Sequence, residues 1–368
     1  MRRNKTGSVV KLMTVVYLIA LVVGADAIKG CKTRKCNDRT QAQPQEAPAP
    51  ATTSNAKGVQ YKTLSSLLTV ADIRMVNGGV TEVIFNENTG YFTVGDAAVI
   101  AKLKSAFSTN TPLQVTFDPW QGAVVSADDP TTAQLAEYAS REVISSAGTE
   151  RKIDLSTTLP DVIDQPSPEF GVINKTEAGL VNVIPDFATA QLMFDYISKQ
   201  CCAIGGPYAI DYCISFQYCQ DGCYARAHKM CYIINKKYNY GTQKIFSFAL
   251  TSTSDKLCVQ GQKWGGCCIN WWYHVAPLVT IQTPTGPKAY VFDPAMFNQP
   301  VLLSTWLHAQ ENPSCVPSGK TPHVTKINIQ PTSAYTPANS AGTMFNTDPS
   351  YSATNTTLWN YRNLKTCP

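Results

Sequence analysis

Three residues far apart in the chain carry the chemistry that this sequence can do: Cys223, His274 and Asp293. Cys223 lies in Asp221-Gly-Cys-Tyr-Ala-Arg-Ala-His-Lys-Met230, which begins with Asp221 as a helix-cap residue. The helix continues with Tyr224, Ala227, Cys231, Ile234 and Tyr238 along one apolar stripe. A thiol in the first helical turn faces unpaired N–H groups and the positive end of the helix dipole, which lower its pKa toward thiolate. The same N–H groups can receive an oxyanion formed at an attacked carbonyl. Of the four histidines, His228 is five residues past Cys223 and points away from it, and His308 and His323 fall in polar, turn-rich sequence. His274 instead opens a strand over residues 271–281. The chain turns at Thr283-Pro-Thr-Gly-Pro287 and returns over residues 288–293. That return brings Asp293 near the level of His274, where a carboxylate can hold the imidazole in one tautomer. Together they read as a sulfur nucleophile, its base and an orienting acid. Two other readings use the same residues: Cys223 as a half-cystine, or zinc held by Cys219, Cys223, His228 and Cys231. The absence of a CxxC pair and the cysteine usage argue against zinc.

These residues need a scaffold, and the composition bounds it. With 368 residues, 44% hydrophobic and 15% charged, the chain has room for two domains with their own cores and is too apolar to be disordered throughout. A net charge of +5 forms no basic stripe with interleaved aromatics, so nucleic acid is not an expected partner. Thirteen cysteines point to an oxidising compartment. Arg2, Arg3, Lys5 and Lys11 precede an apolar run over residues 12–24, and Ala25-Asp-Ala27 follows. This is the pattern of a secretory signal cleaved after Ala27. The run is too short to span about 30 Å of hydrocarbon, and Lys29 argues against lipid attachment at Cys31. A secreted, soluble monomer without a membrane partner is therefore expected.

The remaining chain divides by composition. Residues 28–60 are rich in Pro, Ala, Gln and Thr and read as a flexible linker. Residues 61–179 contain neither cysteine nor histidine. Within them, residues 80–85 and 91–94 read as strands around an Asn86-Glu-Asn-Thr-Gly90 turn. Val99, Ile100, Leu103 and Phe107 mark a helix behind Asp96, and residues 113–117 alternate as a strand. Leu135, Tyr138, Ala139 and Val143 mark a second helix behind Asp128 and Asp129. Residues 145–180 read as an exposed connection. Residues 180–368 hold eleven cysteines and every histidine, with a helix marked by Ala190, Met193, Phe194, Ile197 and Cys201. Eleven is odd, so at least one thiol is left over, and the Cys201-Cys202 and Cys267-Cys268 pairs read as disulfide branch points. The first part carries a slight acidic excess and the second a basic one, which favours their docking. A chemically unequipped half joined to an equipped one suggests a pro-region ahead of an enzyme.

The block around Cys223, then Cys267-Cys268, Trp271, Tyr273-His274-Val275 and Asp293-Pro294, resembles the bacterial protein-glutaminases. Val183-Ile-Pro-Asp186 resembles the start of their mature form, and Pro112-Leu-Gln-Val with residues 126–143 resembles their pro-region. The likeness runs from about residue 70 onward and weakens after Ser314. It implies a secreted enzyme that deamidates protein-bound glutamine through a Cys223-His274-Asp293 triad and a thioester, with no metal or organic cofactor. It also implies an α+β fold with a transglutaminase-like core over residues 180–368, and an inhibitory pro-region over residues 61–179 that an activating protease removes near Gly179. Protein and peptide substrates bearing glutamine are the implied partners. Trp272 stands where a small residue is expected, and Cys219 and Cys231 are additional. A transglutaminase or cysteine peptidase could use the same triad, and a disulfide-rich binding module would have every cysteine bridged.

Overall fold

Asp96 accepts hydrogen bonds from the backbone N–H groups of Ala98 and Val99 and so starts the helix Ala97–Thr109, as its position predicts. Leu103 and Ala106 turn inward from this helix, whereas Phe107, expected on the same face, stays exposed. The next helix differs from expectation. It spans Thr132–Ala139, capped by Thr131 in a reciprocal box with Gln134. Asp129 precedes Pro130, which keeps it extended rather than helical, and Val143 belongs to a strand, Val143–Ser145. The structure, a computed structural model, describes residues 63–76, 78–145, 149–166, 179–200, 202, 213–249, 255–261 and 266–364. The expected signal and linker, together with Cys31, Cys36, Cys201 and Cys367, lie outside these residues.

The architecture is mixed α+β. A first six-stranded sheet runs Leu64–Leu68, Leu113–Asp118, Ala123–Asp128, Asn88–Val94, Val80–Phe85, Val70–Val76. The helix Ala97–Thr109 packs on it over Leu68, Phe85, Phe92, Val115 and Phe117. The hairpin read around residues 86–90 is tighter than expected. Its arms are Val80–Phe85 and Asn88–Val94, leaving Asn86 and Glu87 at the tip. A second six-stranded sheet runs Val301–Leu302, Gly286–Val291, Tyr273–Thr283, Gln243–Phe248, Lys326–Pro331, Thr149–Lys152, each pair antiparallel. The helix Cys223–Tyr238 lies against it, flanked by Phe187–Ser198, which Asp186 caps. No helix among the described residues is long and apolar enough to cross a membrane.

Residues 149–164 are not an exposed connection. Thr149–Lys152 adds the edge strand of the second sheet, and Leu155 and Ile163 enter its core. Asp164, buried, accepts from the N–H and hydroxyl of Ser304 at 2.7 and 2.9 Å. Four polar residues, Thr149-Glu-Arg-Lys152, show no apolar period, so this strand is legible only once its partner is in place. The charge imbalance between the two parts resolves into ion pairs across them: Lys256–Glu82, Lys326–Glu150 and Lys288–Asp161. The last is largely exposed on its acidic side and contributes little. Apolar contact carries more, since Ala71, Ile84, Tyr91 and Ile144 share one cluster with Cys223, Trp272 and Tyr273.

Disulfides join Cys202 to Cys213 and Cys268 to Cys315, and Cys267 is also bridged. The adjacent pair Cys267-Cys268 therefore branches as read. Cys219, Cys223, Cys231 and Cys258 are buried thiols.

Candidate active site

Cys223 is the first residue of its helix, but Asp221 is not the cap. The cap position belongs to Gly222, with φ near +82°, a conformation that costs a residue bearing Cβ. Asp221 is buried and instead gathers donors: the Tyr361 hydroxyl at 2.6 Å, the Tyr224 hydroxyl at 3.0 Å, the Thr89 N–H at 3.0 Å and Asn88 Nδ2 at 3.1 Å. Burial raises its pKa despite these bonds. A Cβ on Gly222 would stand 2.9 Å from the Tyr361 ring. Gly222→Ala is accordingly expected to destabilise the protein by about 1–3 kcal/mol, read as a lower denaturant midpoint with an unchanged slope.

His274 and Asp293 meet as the hairpin register predicts. In the sheet, Leu278 pairs with Val291 and His274 lies opposite Ser247. His274 Nε2 is 2.7 Å from Asp293 Oδ2. An ionised carboxylate only accepts, so Nε2 carries a proton, and in the neutral ring Nδ1 carries the lone pair. Nδ1 is buried and has no hydrogen-bond partner. The ring is stacked between Trp271, 4.3 Å between centroids, and Trp306, 5.3 Å. Trp306 Nε1 also donates to Asp293 Oδ2 at 3.0 Å, and the Ala295 N–H donates to Oδ1 at 3.2 Å. Burial pushes the Asp293 carboxyl up, but the His274 charge, the His274 and Trp306 hydrogen bonds and the Arg226 guanidinium outweigh it and hold the group below the ordinary range.

The Val275 N–H, next along the strand from His274, bonds the Cys223 sulfur, which brings the thiol to the histidine's strand. The expected low thiol pKa is not found in this closed form. Burial pushes it far up, and Asp221 and Asp293 add to that against the pull of Arg226 and the Val275 N–H. The first sheet packs at this place, where Ala71 and Ile84 share a cluster with Cys223. The hairpin tip Asn86-Glu87-Asn88-Thr89 is itself buried. Thr89 O accepts from the Trp272 N–H at 3.0 Å, and the Thr89 hydroxyl donates to Gln220 O at 3.0 Å. Trp272 Nε1 donates to Asn88 O at 2.7 Å, and the Tyr273 hydroxyl reaches Asn86 O at 3.4 Å. The strand read as continuous over residues 271–281 is interrupted at Trp272, whose main chain instead bonds Thr89 and Ala249.

All three candidate residues thus converge on one place. His228 does not join them: Nδ1 faces Lys244 Nζ at 2.6 Å and Nε2 faces Asp348 O at 3.1 Å, so both ring nitrogens are engaged and neither is offered to a metal. His308 caps its own helix against Ser304 O, and His323 pairs with Glu311. Sequence reasoning missed Trp306, Trp271 as a stacking partner, and Arg226. Trp306 had no local signal. Arg226 did, since three residues beyond Cys223 it shares that helix face. Its Nη1 donates to Tyr218 O at 2.8 Å and its buried Nη2 has no partner.

A model of the glutaminase family matches residues 190–310. A crystal structure of pro-protein-glutaminase is similar at 24% identity over 82% of this chain and 93% of that one, with a TM-score of 0.56, a likeness of fold. A solution structure of protein-glutaminase from Chryseobacterium proteolyticum is 32% identical over 51% of this chain and 93% of that one, with a TM-score of 0.41. No curated protein matches. The matched segment contains Cys223, His274 and Asp293, and that segment belongs to the glutaminase family.

Proposed function

We propose that the chain is the zymogen of a secreted enzyme that hydrolyses the side-chain amide of protein-bound glutamine to glutamate and ammonia. The observation that carries this reading is the buried His274–Asp293 pair, whose lone-pair nitrogen lacks a partner while the adjacent Val275 N–H bonds the Cys223 sulfur. His274 Nδ1 takes the thiol proton, and the sulfur attacks the amide carbon. The oxyanion is received at the Cys223 N–H at the helix start. His274 then gives its proton to the leaving nitrogen; the C–N bond breaks and ammonia departs, leaving a glutamyl thioester. Water, deprotonated by His274, attacks the thioester carbonyl, releases glutamate and restores the thiol. Asp293 keeps the proton on Nε2 throughout. No metal or organic cofactor enters these steps.

In this reading residues 61–179 are the inhibitor. The hairpin tip bonds the Trp272 main chain as an extended substrate would, and it buries the thiol in its protonated form. Export rests on the signal pattern in residues 1–27. Cleavage near Gly179 would leave residues 181–184 anchored, because Val181 is bonded to Asn239 and Gly241, and Ile184 to Thr280 and Gln282. One cut does not by itself free the site. Leu155, Ile163 and the strand Thr149–Lys152 remain packed on the second sheet.

Ammonia release from an unfolded glutamine-rich protein, with the product weighed by mass spectrometry, tests the activity. A gain of about one mass unit per glutamine is expected; cross-linked or shortened product would assign a transglutaminase or peptidase instead. Uncut protein should have under about 1% of the processed activity. The rise should follow loss of the pro-region on size exclusion rather than the cut itself. Full activity in uncut protein would refute the inhibitory role.

A further inference from the structure

Lys256 has both of its side-chain partners in the segment that activation would remove. It lies on the strand Asp255–Gln260, in which Leu257 pairs with Trp271. Lys256 therefore stands at the level of Trp272, whose N–H holds Thr89. Its side chain is only 4% exposed, its ammonium is 2.8 Å from Glu82 Oε2, and it lies 3.0 Å from the centre of the Tyr91 ring. Glu82 and Tyr91 are on the two arms of the hairpin whose tip bonds Trp272. Tyr91 follows Thr89 by two residues and so shares its face of the strand. Glu82 has a second cation, Arg74 at 2.9 Å, that would leave with it. A cavity of about 260 Å³ here is lined by Lys256, Gln220, Asp221 and Asn270 as well as by Tyr91 of the hairpin.

We propose that in the processed enzyme Lys256 is a specificity residue: it receives an acidic side chain of the substrate protein, two residues to the C-terminal side of the one that takes the place of Thr89. This rests on the glutaminase reading and on the hairpin tip standing where substrate binds. A cation on an inward-facing strand that loses a carboxylate and an aromatic face together gains most from a substrate that restores the carboxylate. Burial already pulls the Lys256 ammonium down to about 8 with Glu82 beside it. A lysine at the same substrate position would meet like charge, so the residue would discriminate by repulsion as well as attraction.

The test uses peptides with one glutamine and Glu, Ser or Lys two residues beyond it, with processed wild type, Lys256→Gln and Lys256→Glu. The readout is kcat/KM for ammonia release. Wild type should prefer Glu over Lys by about tenfold or more, and the preference should shrink in high salt. The ratio should fall close to one in Lys256→Gln and invert in Lys256→Glu. A wild-type ratio near one, or a preference that survives both substitutions, overturns the assignment. The Ser peptide separates the two levels of the argument. Ammonia from it upholds the glutaminase reading whatever the ratio; its absence from wild type refutes that reading and the Lys256 subsite with it.

Discussion

Cys223→Ser in the processed enzyme is expected to lower kcat for ammonia release by about 10,000-fold or more, with little change in substrate binding. The size follows from what the sulfur does. A serine hydroxyl at this place has a far higher pKa than a thiol, and the pair that would deprotonate it is one histidine wide. The helix start, the Trp stack and the His274–Asp293 bond all survive the exchange, since Cys223 is held by its backbone position and the Val275 N–H. Residual activity should thus come from binding and the oxyanion site alone. Equal activity in the variant would move the nucleophile elsewhere. Alkylation gives an independent check, because one thiol of the processed wild type should react with iodoacetamide and the variant should lack it. The uncut protein should resist the same reagent, since Cys223 is buried there.

Asp293→Asn should cost about 1,000- to 10,000-fold in kcat for a different reason. An amide at this position donates as well as accepts. Presented to Nε2 through its NH2 group, it shifts the ring proton to Nδ1, the nitrogen that must receive the thiol proton. The oxygen, then at the place of Oδ1, can still accept from the Ala295 N–H, so the fold should persist although the Trp306 hydrogen bond is lost. The pH dependence has a definite sign. The native pKa of Asp293 is depressed below its unfolded value of about 3.9. Its stabilisation is therefore fully present above that value and is lost as pH falls through the native pKa. Asp293→Asn should be less stable than wild type at neutral pH, with a difference that narrows on acidification below about pH 4. Denaturant titrations at pH 7 and pH 3 would measure it. A difference that widens in acid would mean that Asp293 is neutral in the native state.

Much of this site could be read from residue type and spacing. Cys223 follows a glycine at a helix start, and His274 and Asp293 lie on two strands joined by an evident turn, so local geometry alone brings the latter two together. The helix behind Asp96 was legible because a capping side chain and an apolar period agree at one place. The identity of the cap at Gly222 was not, because a positive φ is imposed by what packs around it, here Tyr361 from the far end of the chain.

Local patterning pointed to the candidate nucleophile, base and orienting acid, and showed the compositional division into a plain half and a chemically equipped one. Each depends on neighbours within one helix turn or one hairpin. The tertiary structure alone decided that residues 149–164 complete the second sheet, that Trp306 closes the stack over His274, and that Asp221 joins the hairpin tip to the helix. It also decided the protonation of the thiol. The helix dipole acts over a single turn and can be read from a motif, whereas desolvation depends on everything that covers the sulfur, including a hairpin more than a hundred residues away.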